Sequence, residues 1–80
     1  MEYKVALEKL TPIFRQVMND PNLELKSEMT AEDVERWDSL SHMMLINAIQ
    51  MQFGIRFKLS ELNKIRSVGD FVNALINKVE

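Results

Sequence analysis

Apolar residues at Ala6, Leu7, Leu10, Ile13, Phe14 and Val17 recur every three or four positions, which lays one face of an amphipathic helix along Tyr3 to Met18. Pro12 interrupts the pattern. Its ring removes the bond to the Glu8 carbonyl and crowds that oxygen, so either a kink or a restart with Thr11 as N-cap is expected. The unbroken apolar face favours a single kinked helix, ended by Asn19-Asp20-Pro21-Asn22. Residues 21 to 37 form a long polar connection in which Leu23, Leu25 and Met29 alternate with polar neighbours and serve as anchors to a core. Within it, Thr30 and Asp33 read as a capping box opening a short helical turn through Glu35.

A second helix runs from Ser39 to Phe53, apolar around much of its circumference, and Gly54 stops it as a left-handed residue. Ile55, Phe57 and Leu59 alternate with Arg56 and Lys58 as a strand would. A lone strand has nothing to pair with, so an extended loop is expected. Ser60 opens a short helix carrying Leu62 and Ile65. Ser67 with Asp70 caps a last one carrying Val68, Phe71, Val72, Leu75, Ile76 and Val79. The fold class expected is all-α: a small four-helix bundle of three longer helices and one short one, the first two joined by the long loop.

Eighty residues make one domain, 1–80, and a chain of this size buries only about 60 to 65% of the surface it exposes when unfolded. There is no cysteine, hence no disulfide and no thiolate of the chain's own; thiol chemistry would have to come from a cofactor. No stretch has the pattern of a signal sequence or a membrane span, and a cytoplasmic protein is the expectation. The formal net charge of −2 is unevenly spread: residues 19 to 38 carry a local balance of −5. The C-terminal bases are interspersed with acids, so no basic face for nucleic acid emerges.

The chemistry concentrates at Trp37-Asp38-Ser39-Leu40. Asp38 is a good N-cap, which puts Ser39 on the first helical residue, beside unpaired amides and the positive end of the helix dipole. A phosphate ester on its hydroxyl would sit in an anion site. As a nucleophile Ser39 lacks a base. His42, the only histidine, lies three residues on, but no third group orients it and no glycine-rich elbow exposes the serine, so hydrolase chemistry is not expected.

With Ser39 and Leu40 opening the second of four helices after a long loop, and Phe53-Gly54 closing it, the chain resembles the acyl carrier proteins over most of its length. The resemblance implies a non-enzymatic carrier. 4'-Phosphopantetheine would be attached covalently to Ser39, and acyl or aminoacyl groups would ride as thioesters on its terminal thiol. It implies that Asp38 caps the helix and helps present Ser39, and that Leu40 is partly exposed and contacts a phosphopantetheinyl transferase. Trp37, Met43 and Met44 are the candidate partner-recognition residues, Trp37 being alternatively a staple onto His42 or Met43, or a loop residue filling core space. The implied partners are the transferase, a loading ligase or acyltransferase and downstream synthase enzymes; the family expectation is a monomer.

The second helix departs from the fatty-acid carriers. Where they place acids, this chain has Ser41, Met44, Gln50, Met51 and Gln52, a pattern that points to a specialised carrier of secondary metabolism or surface-polysaccharide modification. Met43, Ile46, Ile55, Phe57 and Ile65 are candidates to line a slot for an acyl chain. The rival from another class is a helical protein-interaction module with a Met-rich groove, in which Ser39 is merely a cap residue.

Overall fold

A computed structural model describes residues 1–79 of the chain and shows four helices: α1, Tyr3–Met18; α2, Ser39–Phe53; α3, Leu59–Leu62; and α4, Val68–Val79. Glu80, the last residue of the domain expected from sequence, lies outside the described residues.

α1 continues through Pro12 as one helix, and the Thr11 hydroxyl donates back to the Leu7 carbonyl at 2.8 Å instead of capping a new start. Asn19 closes it in the left-handed region, φ 55°, its amide bonded back to the last turn. At this negative end of the helix dipole two arginines fasten the loop. Arg15 Nε donates to the Leu23 carbonyl at 2.7 Å, and Arg36 Nη1 donates to the carbonyls of Met18 and Asn19 at 3.4 and 3.3 Å. Gly54, at φ 63°, ends α2 as expected.

Three expectations shift. The short helix starts at Leu59, with the Glu61 carboxylate accepting from the Lys58 amide at 2.7 Å, and it ends before Ile65, which lies buried beyond it. Leu59 does not share the inward face of Ile55 and Phe57: it is 74% exposed at the start of α3, whereas Phe57 is buried. The Thr30–Asp33 box forms, Thr30 N donating to Asp33 Oδ2 at 3.0 Å, but it closes a turn and no helix follows.

α1 packs against α2 and α4, and the core is a single cluster in which Ala6, Leu10 and Phe14 of α1 meet Leu45 and Ile49 of α2 and Phe71 and Leu75 of α4. Leu23, Leu25 and Met29 anchor the long loop to it. Backbone bonds do the rest. The amides of Val68 and Gly69, at the start of α4, donate to the carbonyls of Met29 and Ser27, each at 2.9 Å, while Ser67 and Asp70 cap that helix reciprocally. The loop thereby satisfies helix-end donors that water would otherwise take.

Gly69 is where loop and helix come closest: a Cβ there would stand 3.2 Å from the Ser27 carbonyl oxygen and 3.3 Å from the Tyr3 hydroxyl, itself bonded to the Ser27 hydroxyl. Gly69→Val is therefore expected to push the loop off α4. The cost of such overpacking is about 1–3 kcal/mol, read as a fall in Tm of several degrees. An unchanged Tm would mean the loop yields freely.

Candidate functional site

The site is the junction where the long loop becomes α2. Asp38 is in extended conformation, φ −122° and ψ −170°, and its carboxylate accepts from the Ser41 amide at 2.9 Å. Ser41 answers: its Oγ accepts from the Asp38 amide at 2.8 Å and donates to the Arg36 carbonyl at 2.8 Å. Ser41 is the one buried polar residue among those described, 7% exposed, and these bonds spend its hydroxyl on the loop-to-helix turn. Sequence reasoning missed it as a site residue. The signal was there, since Asp38-x-x-Ser41 has capping-box spacing with serine in the third position.

The Ser41 amide, more than any other contact, holds the Asp38 carboxyl below its ordinary range. One expectation is thereby modified. The first turn is not a fully open anion nest, because the Asp38 carboxylate occupies the Ser41 amide; an ester on Ser39 has the positive end of the helix dipole beside it, with Asp38 at the cap as the one neighbouring acid.

Ser39 is exposed as the first residue of α2. Among the described residues its side chain has no hydrogen-bond partner, so its hydroxyl is accessible and uncommitted. Those are the properties that a covalently attached phosphate ester demands of its serine, and the residue fits the group. Leu40 beside it is 72% exposed, as expected, and Met43 and Met44 are 57% and 48% exposed.

Trp37 is different. It is 3% exposed, which leaves little of it for a partner to touch, and its ring meets Phe14 edge-on at 5.5 Å. It also stacks on His42, 6.1 Å between centroids and 15° between planes, and its Nε1–H donates to His42 Nδ1 at 3.0 Å. The sequence suggested the contact with His42 and the filling of core space, and both occur; the hydrogen bond was not anticipated. Because Nδ1 accepts, the neutral imidazole carries its proton on Nε2.

Burial pushes the His42 pKa below its ordinary value of 6.5. Folding therefore favours the neutral ring. Its contribution to stability is complete above about pH 6.5 and is lost as pH falls through the lower folded value, where the unfolded chain binds a proton that the folded chain resists. Trp37→Phe keeps an aromatic ring but removes the donor, leaving Nδ1 open to protonation. The His42 pKa is expected to rise toward 6.5, read by NMR titration of the only imidazole in the chain. An unshifted titration curve would show that the bond does not hold the tautomer.

Of the residues suggested for an acyl slot, Ile46, Phe57 and Ile65 belong to the packed core and Ile55 lies against it, whereas Met43 stands outside on the surface. Among the described residues no group of acids, histidines or cysteines is placed to hold a metal ion, and no helix is long and apolar enough to cross a membrane.

The comparisons with known proteins concern the chain as a whole. Residues 8–75 match the phosphopantetheine attachment site family, so the chain belongs to that family. Its structure is similar to that of holo acyl carrier protein from Geobacter metallireducens, at 44% identity and a TM-score of 0.87, over 92% of this chain and 85% of that one. It is also similar to an acyl carrier protein from Thermotoga maritima, at 26% identity and a TM-score of 0.83, over 99% of this chain and 92% of that one. Among curated proteins none matches it. The protein is a carrier that holds acyl groups on a covalently attached 4'-phosphopantetheine and interacts with modifying and synthase enzymes; it is not itself catalytic. A plain interaction module is set aside by the same findings.

Proposed function

We propose that Ser39 is the attachment point, and that 1–80 is a single carrier domain inert until that hydroxyl is esterified. What supports this above all is an exposed, uncommitted serine on the first residue of α2, inside the matched segment. Asp38 and Ser41 hold the turn that presents it. Leu40, exposed one residue on, is the contact for the phosphopantetheinyl transferase. When bound, the arm supplies a thiol that holds an acyl or aminoacyl group as a thioester, and the protein supplies its position.

Met43, Met44 and Met51 give α2 an exposed face with no charged residue, which favours partners that read apolar shape over partners that read an acidic helix. The carrier is accordingly a specialised one, working as a cytoplasmic monomer with a loading ligase or acyltransferase of its own. Two measurements test this. Incubation with coenzyme A and a broad-specificity transferase, followed by intact-mass analysis and peptide mapping, is expected to show one phosphopantetheine on Ser39. No gain, or a gain elsewhere, overturns the assignment. Loading by general fatty-acid enzymes is expected to be slow and weakly salt-dependent; loading as fast and as salt-sensitive as an acidic carrier's overturns the specialised role.

A further inference from the structure

An open hollow of about 530 Å³ lies against the first turn of α2, lined by Ala31, Trp37, Asp38, Ser39, His42 and Met43. That volume is within the range, about 300–1,000 Å³, of sites that hold small organic groups. Its walls differ in chemistry. Ala31 and Met43 offer exposed apolar surface from the loop and the helix, and the half-buried imidazole of His42 offers a hydrogen-bond donor.

That donor is fixed in place. Trp37 Nε1–H occupies His42 Nδ1, so the proton of the neutral ring is on Nε2. Nε2 makes no hydrogen bond to the described residues. No buried side-chain nitrogen or oxygen among the described residues lacks a partner, so Nε2 must reach solvent. Burial disfavours the charged imidazole, which keeps the donor in this tautomer at neutral pH. The ring is held from behind by Phe71, 5.4 Å between centroids, and by the stacked Trp37. The result is one preorganised N–H beside an apolar wall.

Ser39 is itself part of that wall, and this names the occupant. We propose that the hollow is a docking site for the root of the phosphopantetheine arm, with the geminal methyls of its pantoyl segment against Met43 and the Trp37 edge, and a phosphate oxygen accepting from His42 Nε2–H. The inference rests on the assignment of Ser39 as attachment point and says where the arm lies once attached. Residues three apart on a helix are neighbours on its surface, about 5–6 Å between Cβ atoms, so His42 is within reach of a phosphate on Ser39. Tethering makes a shallow, open site sufficient. A group held by a short flexible link has an effective concentration in the millimolar range, so an intrinsic Kd of that order keeps the arm docked about half of the time. His42 and Met43 are thus positioning residues for the arm, and a partner enzyme has to lift the arm from this face before using it.

The test is isotope-filtered NMR on holo protein, with labelled protein and an unlabelled arm whose attachment at Ser39 has first been confirmed by mass. Expected are NOEs from the pantoyl methyls to the Met43 methyl and the Trp37 ring, together with a shift of the His42 Nε2 resonance between apo and holo forms. Met43→Ser, at an exposed position, is expected to fold normally and to weaken the remaining NOEs to Trp37 about two- to threefold, since losing about one methylene of apolar contact weakens docking about fourfold and takes the docked fraction from about a half to about a fifth. His42→Phe, which removes the Nε2–H donor, is expected to weaken the pantoyl-methyl NOEs to the Met43 methyl. A holo protein with the arm on Ser39, no such NOEs and shifts confined to Ser39 and Leu40 overturns the docking site alone. Absence of mass gain at Ser39 overturns the attachment assignment, and the docking site with it.

Discussion

Ser39→Ala is expected to abolish attachment of phosphopantetheine completely while changing stability by no more than about 0.5 kcal/mol. The two halves of that expectation have separate causes. On the proposed assignment attachment requires an oxygen nucleophile at the first residue of α2, and alanine has none. Stability is spared because the Ser39 side chain is exposed and bonds to nothing, the capping work being done by Asp38 and Ser41. Ser41→Ala should instead keep attachment, at a slower rate, and lose stability. It leaves the attachment hydroxyl in place but strips the Asp38 amide and the Arg36 carbonyl of their partner, which costs about 1–3 kcal/mol for groups that cannot readily rehydrate. Intact mass and a thermal melt on both variants decide the matter. If Ser39→Ala still gained the group, Ser41 would be a poor substitute, being 7% exposed with its oxygen engaged on both sides. The carrier would then have to be built around a different serine.

The contrast between the two serines marks the limit of what the sequence made legible. Ser39 was readable because a helix start is announced locally: Asp38 before it and an apolar periodic run after it suffice, and α2 begins and ends where those signals and Gly54 put it. The same holds for Ser67 and Asp70 at the head of α4. Ser41 was less readable, because its hydroxyl also bonds the Arg36 carbonyl five residues back, a contact the capping spacing alone does not announce. Met29 was readable as an anchor, but the backbone pairing of residues 27–29 with α4 was not. That pairing uses backbone carbonyls of Ser27 and Met29, which every residue possesses, and its only side-chain signature is the absence of one at Gly69. Leu59 misled because alternation over five residues cannot distinguish an anchored loop from a helix start. Trp37 carried two compatible meanings, core filler and mount for His42, and only the distance from Nε1 to Nδ1 shows that it is both.

Phe71→Ala is the stability change with the largest expected effect, about 3–5 kcal/mol. An 80-residue domain has only about 4–12 kcal/mol to lose, at about 0.05–0.15 per residue. Phe71 is fully buried on α4 and meets Phe14 of α1 edge-on at 5.5 Å, Trp37 of the loop at 6.1 Å and His42 of α2 at 5.4 Å. Ring-to-ring geometry contributes about 0.5–1.5 kcal/mol per pair, less than the transfer and cavity cost of deleting the ring, so most of the loss is packing. Phe71→Leu, which refills much of the volume, should therefore recover a good part of it. The measurement is urea denaturation, with a lower midpoint and an unchanged slope for both variants. The effect reaches the site because Phe71 is the floor under His42 and Trp37, and these stand under the turn that presents Ser39. In the surviving folded fraction of Phe71→Ala the Trp37 Nε1–H resonance should move and the rate of phosphopantetheine attachment should fall, whereas Ser41→Ala should slow attachment without disturbing the rings. A loss below about 1 kcal/mol for Phe71→Ala, far outside the range for a buried aromatic, would mean that the three rings do not close on Phe71 and that the mount of the carrier serine lies elsewhere.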